Sequence, residues 1–204
     1  MSRLQFRLRL VLVTILVLLS PALGYAAYQH VTGNLHVLED GMLYRSGQLD
    51  GPALTKLVLD KNIRTIINLR GAHPDTNWYA AETSVADGYG VRYIPISLSS
   101  AEEPDMATML ALANAERNAP GPMLVHCRSG ADRTGLAAAI YELVVAGSSK
   151  EAAAGQLSPF YGHFPWFGSR TAAMDRAFAK FAEYWDASGR RAVAFGDREM
   201  LAAK

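Results

Sequence analysis

The sequence predicts an α/β domain with a central, mostly parallel sheet flanked by helices, preceded by an N-terminal hydrophobic helix. Apolar runs at Thr65–Leu69, Val91–Ile96 and Pro122–His126 alternate with segments of helical periodicity, the order from which parallel sheets are built. The run TIINL shows no polar alternation before Asn68, as expected of a strand covered on both faces. Leu10 to Leu19 is apolar on every helical face, which disfavours a helix packed by one side onto a soluble core.

Arg3, Arg7 and Arg9 precede an uncharged stretch from Leu10 to Tyr28, so residues 1–29 read as an export signal or membrane anchor. Ala22-Leu23-Gly24 and Gly24-Tyr25-Ala26 offer small residues for cleavage, yet the stretch is also nearly long enough to span a bilayer, and an uncleaved anchor is the preferred reading. The basic flank then stays cytoplasmic. In a Gram-negative bacterium the rest of the chain would lie in the periplasm, held at the inner membrane, or soluble there if the signal is cleaved. Gly33 to Gly51 suggests two short strands around an Asp40-Gly41 turn. Helices are expected over Thr55–Asn62, Trp78–Asp87 and Pro104–Arg117, the last ended by Ala119-Pro120-Gly121-Pro122. Past Cys127, Thr134–Ala146 is strongly helical, a short helix covers Lys150–Leu157, and Ser169–Ala187 is amphipathic through Met174, Phe178 and Phe181. One domain thus covers residues 30–189, followed by a charged, loose tail over 190–204.

Half of the 204 residues are apolar, enough to fill a single core. A formal charge of +1, from 20 basic and 19 acidic side chains, gives no global field for nucleic acid, so an anion site must be a local arrangement. A single cysteine permits no internal disulfide and no thiolate zinc site, and His36 and His73 have no metal-ligand spacing; neither metal nor cofactor is expected.

That single thiol sits in MLVHCRSGADRTGLAAAIYELV, residues 123 to 144. An apolar strand running into a glycine-containing loop that opens a helix makes an anion pocket, because loop amides and first-turn N–H groups point inward. A thiolate at the base of that ring is stabilised by the same amides. Arg133 supplies a planar fork for two phosphate oxygens, Gly130 permits the reversal of the backbone, and Gly135 allows close packing as the helix starts. An isolated cysteine is more often a small buried hydrophobe, but here the neighbouring glycines, arginine and threonine match one chemistry jointly.

His126-Cys127, five further residues and Arg133-Thr134-Gly135 resemble the phosphate-binding signature of the cysteine-dependent protein tyrosine phosphatases, most nearly the dual-specificity branch found in bacteria. Met42–Leu49, Thr65–Gly71 and Gln156–Pro165 also look like segments of bacterial members, so the likeness covers about residues 34 to 187. It implies a dual-specificity-phosphatase-like fold and a phosphomonoester hydrolase without metal. Cys127 would form a phosphocysteine and Arg133 would bind the phosphoryl oxygens. The amides of Arg128, Ser129, Gly130, Ala131, Asp132 and Arg133 would form the oxyanion cradle, Thr134 would hydrogen-bond the thiolate, and His126 would lock the loop. The family's general acid is an aspartate on a separate loop. Here that loop is Ser97–Asp105, without a Trp-Pro-Asp pattern; Asp105 ranks first, then Glu103, Asp132 and Glu102, although Asp105 could equally open the next helix.

Simpler roles suffice elsewhere. Arg45 and Arg70, each after a strand, are expected in structural ion pairs rather than lining the cleft, Arg128 is as readily solvated as functional, and His163 with Phe160, Tyr161, Phe164 and Trp166 reads as aromatic core packing rather than as a wall for a bulky substrate. Two competing functions stay open: a non-catalytic anion-binding module that lacks a working acid, and a rhodanese-like sulfur transferase. The partner is a phosphorylated substrate, with phosphotyrosine on an envelope protein first and inositol or phospholipid phosphomonoesters open.

Overall fold

The structure is a computed structural model that describes residues 3–166 and 168–202. Helix α1 (Arg3–Val31) precedes a five-stranded sheet of order β1-β2-β5-β3-β4, formed by β1 (His36–Glu39), β2 (Leu43–Ser46), β3 (Thr65–Asn68), β4 (Arg92–Pro95) and β5 (Met123–His126). Only β1 is antiparallel to its neighbour; β2, β5, β3 and β4 run parallel. Every residue of β2, β3 and β5 is buried, as the unalternating TIINL run requires of strands covered on both faces.

Helices α2 (Gly51–Lys61) and α3 (Asn77–Gly88) cover one face, where Leu54, Leu57 and Val58 meet Ile66 and Leu124. The other face carries α4 (Met106–Asn118), α5 (Asp132–Val144), α6 (Lys150–Ala154) and α7 (Ala172–Ala202), with Leu136, Ile140, Met174, Phe178 and Phe181 packed on Leu43, Ile67 and Val125. Helix α5 lies beneath α4, α6 and α7, so nine of its 13 residues are buried, among them every residue from Thr134 to Tyr141.

Caps account for shifted boundaries. Asp50 accepts from Ala53 N at 2.8 Å and starts α2 at Gly51 rather than Thr55; Asn62, left-handed at φ 51°, ends it. Asp105 caps α4, which begins at Met106. Helix α7 runs on through the segment expected to be loose, since Arg, Ala, Met and Leu favour helix enough to carry it past Gly189 and Gly196. Helix α1 is long and apolar enough to cross a membrane, and its apolar side chains from Leu10 to Leu19 are exposed.

Candidate active site

The sheet register lays Ser46, His126, Asn68 and Pro95 side by side across β2, β5, β3 and β4. The residues that follow, Gly47, Cys127, Leu69 and Ile96, therefore emerge together at the carboxyl edge of the parallel strands, where open α/β sheets bind ligands. From there the loop Cys127–Ala131 leads directly into α5.

The loop's carbonyls are all claimed from behind. Gln48 N donates to Arg128 O at 3.1 Å, Asn34 Nδ2 to Ser129 O at 2.9 Å, and Arg45 Nη2 to Gly130 O at 3.0 Å. Peptide planes whose carbonyls face outward turn their N–H groups the other way, so the amides of Ser129, Gly130 and Ala131 are turned toward the inside of the loop. Gly130 makes this possible: φ is +76°, and a Cβ there would lie 2.6 Å from Gly47 N. Gly135 admits Leu157 and the Gln156 carbonyl against α5, as its predicted packing role requires.

Cys127 is 1% exposed at the floor of this loop. Arg133 Nη1 donates to Leu98 O at 3.2 Å and Leu69 O at 3.4 Å, while its buried Nε has no partner. One nitrogen thus fixes the guanidinium to the rim, leaving the Nε–Nη2 edge, the side that grips an oxyanion as a fork. A buried donor without an acceptor is costly and points to a ligand that supplies one.

Arg45 differs from its predicted role. It is fully buried on β2 and pairs with no carboxylate among the described residues; it donates to Gln156 O and Oε1, at 3.1 and 2.7 Å, and to Gly130 O, and it stacks 3.7 Å from the Tyr161 ring centre. Burial pushes its guanidinium down to about 10. Arg70 likewise makes no ion pair: it stacks 3.5 Å over Trp78 and donates to Gln48 Oε1 at 2.9 Å. Burial, then the Arg133 and Arg128 charges, draw its basicity below the ordinary value, so these arginines share one cleft.

His126 is anchored by a residue that sequence reasoning missed. Buried Glu82 of α3 accepts from His126 Nε2 at 2.8 Å and Tyr93 OH at 2.6 Å on Oε1, and from Gln48 Nε2 on Oε2. Asn68 Nδ2 donates to Tyr93 OH at 2.7 Å, and its Oδ1 accepts from Arg70 N. Burial pushes the Glu82 carboxyl up, but hydrogen bonds from His126, Tyr93 and Gln48 outweigh it and hold the group below the usual range.

The acid candidates are occupied differently. Asp105 is exposed and accepts from Thr108 N at 2.8 Å, and hydrogen bonding from Thr108 lowers its carboxyl. Glu103 pairs with Arg176 and Lys180 of α7, while Glu102 is exposed. Asp132 accepts from His163 Nδ1 at 2.8 Å, and His163 Nε2 meets Asp175 Oδ2 at 2.9 Å. His163 is therefore a buried bridge from α5 to α7 rather than a member of an aromatic core, and Phe160, Phe164 and Trp166 are exposed. Thr134 Oγ1 donates to Ser46 O at 3.4 Å, not to the Cys127 sulfur that the resemblance implies. Arg128 and Ser129 stand exposed at the mouth, and Ala131 is buried at the start of α5. Among the described residues no cluster of His, Cys, Asp and Glu could hold a metal ion.

A sulfur under a ring of amides, closed by an arginine at the head of a helix, defines a phosphatase that works through cysteine. Residues 25–164 match the family described as DSP-PTPase phosphatase fused to NAD+ kinase, and the chain belongs to that family. The crystal structure of TpbA from P. aeruginosa is 25% identical, with 74% of this chain and 89% of that chain covered and a TM-score of 0.55. PTPMT1 is 18% identical, covering 74% and 97% with a TM-score of 0.56, and the core catalytic domain of the PP-IP phosphatase SIW14 from S. cerevisiae is 18% identical, covering 80% and 93% with a TM-score of 0.59. No curated protein matches the chain by sequence.

Proposed function

We propose that the protein hydrolyses phosphomonoesters through a cysteinyl-phosphate, as an exported enzyme anchored in the membrane by α1. The observation that carries the reading is the Arg133 fork, fixed to the rim through Nη1 with Nε buried and unpaired, beside a loop whose carbonyls all face away. The Cys127 thiolate attacks phosphorus in line, the P–O ester bond breaks, and Asp105, released from the Thr108 hydrogen bond that otherwise keeps it ionised, gives its proton to the leaving oxygen. Arg133 and the amides of Arg128 to Arg133 bear the charge of the equatorial oxygens. Water then attacks the phosphocysteine and passes a proton to the Asp105 carboxylate. The P–S bond breaks, and Thr134 Oγ1 turns from Ser46 O to hydrogen-bond the departing thiolate. His126, held by Glu82, keeps the loop in place. TpbA has been solved in complex with pTyr and PTPMT1 in complex with PI(5)P, which supports a phosphorylated substrate here.

The full chain in detergent should hydrolyse p-nitrophenyl phosphate. Cys127→Ser should abolish turnover and still bind vanadate. Asp105→Asn should lower kcat and flatten the alkaline limb of the pH–rate profile, whereas an unchanged profile removes Asp105 from the mechanism. Wild-type protein that binds phosphate without turning over would instead be an anion-binding module.

A further inference from the structure

The end of α1 forms part of the rim of the phosphate loop. Tyr25 OH and Gln29 Nε2 both donate to Phe160 O, at 2.5 and 2.7 Å, and Asn34 N donates to Gln29 O at 2.7 Å. Asn34, 4% exposed, then ties Ser129 O of the loop and Tyr161 O together, while Gly47 N donates to Gly33 O at 2.7 Å. Between α1 and the loop lies a cavity of about 280 Å³, bordered by Ala26, Gln29 and His30 on one side and Gln48, Arg128 and Ser129 on the other. The same Gln48 bonds Arg70, so the cavity opens beside the arginine-lined cleft.

The height of this cavity follows from helix geometry. The uncharged stretch Leu10 to Tyr28 rises about 27 Å at ~1.5 Å per residue. That nearly fills a hydrocarbon core of about 30 Å. Gln29 and His30 then lie at the boundary between the hydrocarbon core and the headgroup layer, which is roughly 5–8 Å deep on each side. Tyr28, 59% exposed, supplies an aromatic ring at that boundary, and Tyr25 with Phe160, 5.9 Å apart, supplies two more about one helical turn deeper.

We propose that the substrate is a phosphomonoester headgroup of a lipid in the bilayer that α1 spans, its phosphate in the Cys127–Arg133 ring and its polar neck in the cavity against α1. This rests on the phosphatase and anchor readings above. A lipid phosphate already sits at the height of the loop, and exposed Arg128 with Arg70 and Arg133 gives the mouth the charge that gathers anionic headgroups. A folded phosphoprotein must instead lower its phosphate into the headgroup layer to reach Cys127.

The test uses the full chain in phosphatidylcholine vesicles, with phosphate release followed from phosphatidic acid in the same bilayer, phosphatidic acid in separate vesicles, glycerol 3-phosphate, a phosphotyrosine peptide and p-nitrophenyl phosphate. Phosphatidic acid in the shared bilayer should be turned over at least about tenfold faster than in separate vesicles, and faster than the free headgroup and the peptide. A seven-residue helical spacer between Leu23 and Gly24 lifts the loop by about 10 Å. It should cut lipid turnover at least about tenfold while leaving p-nitrophenyl phosphate turnover unchanged. A preference for the peptide, or for glycerol 3-phosphate over the lipid, overturns the proposal, as does lipid turnover indifferent to the spacer. Loss of p-nitrophenyl phosphate hydrolysis in the wild type refutes the phosphatase reading itself, and failure to float with vesicles refutes the anchor; either takes this proposal with it.

Discussion

Glu82→Gln isolates the buried network behind the nucleophile. Three donors converge on the carboxylate, His126 Nε2 and Tyr93 OH on one oxygen and Gln48 Nε2 on the other. A glutamine offers a single carbonyl oxygen, so one side of the network must place a donor against a donor. If the amide nitrogen faces Gln48, that side chain can flip only by giving up Arg70, which Gln48 Oε1 accepts at 2.9 Å. Removing one partner of a buried pair costs about 3–5 kcal/mol, and the near-isosteric amide belongs at the lower end, ~3 kcal/mol. With a urea m-value of about 2 kcal/mol/M, the unfolding midpoint should fall by roughly 1.5 M. Because a Glu82 carboxyl held below the usual range stabilises the fold above its unfolded value of 4.5 and loses that contribution as pH falls through the folded one, the gap between wild type and variant should narrow below that pH. The residue after His126 is the proposed nucleophile, so kcat/KM should drop by about tenfold or more. Equal urea midpoints at pH 7 with unchanged kcat/KM would show that Glu82 neither braces the fold nor positions the loop.

Arg45→Met leaves the Gly130 and Gln156 oxygens without their buried donor; it should destabilise by about 2–3 kcal/mol and lower kcat/KM at least about tenfold, and a variant as active as wild type in steady-state assays would discount the anchoring role. Gly130→Ala should be inactive and less stable by urea unfolding, because φ is +76° and the new Cβ would meet Gly47 N at 2.6 Å; normal turnover would mean that the loop adopts another path. Glu116 of α4 is 2% exposed with neither oxygen hydrogen-bonded, and burial raises its carboxyl well above 4.5. A raised group holds stability below its unfolded value of 4.5 and loses it as pH rises from there toward the folded one, so Glu116→Leu should flatten the fall in urea midpoint above that pH, and an unaltered slope would contradict this.

What was legible in the sequence is what is local in it. Strand, glycine-containing loop and helix start follow one another from Met123 to Val144, so their chemistry could be read from spacing alone. The parallel sheet was legible for the same reason, through runs such as TIINL that tolerate no polar face. The supports of the site lie far along the chain: His126 meets Glu82 across 44 positions, Arg45 meets Gln156 across 111, and His163 meets Asp132 across 31. Nothing in the neighbourhood of Glu82 distinguishes it from a solvated helix carboxylate. Its one faint signal is the spacing from Trp78 and Tyr79, which gives α3 an inward face. The end of α1 was hidden by its own hydrophobicity, since an export pattern says where a chain goes and not what it leans on.

The arginines around the site share a mode of attachment with a chemical consequence. Arg133 is fixed by the Leu69 and Leu98 carbonyls, Arg45 by carbonyl and amide oxygens and the Tyr161 ring, and Arg70 by Gln48 and the Trp78 ring. Dipoles and aromatic faces orient a guanidinium without cancelling its charge, whereas a carboxylate would occupy the fork and neutralise it. The Glu82 carboxylate is hydrogen-bonded by His126, Tyr93 and Gln48 and makes no direct hydrogen bond to Arg70, which it meets through that glutamine and by charge at longer range. At the other end of the loop, Asp132 is turned onto His163. Burial pushes that imidazole down, but hydrogen bonds and charge from Asp132 and Asp175 outweigh it and raise it, so the acid beside the ring faces an imidazole and not the cradle. Positive potential is thereby concentrated where the amides point, and a phosphate dianion entering the ring meets guanidinium forks that no carboxylate occupies.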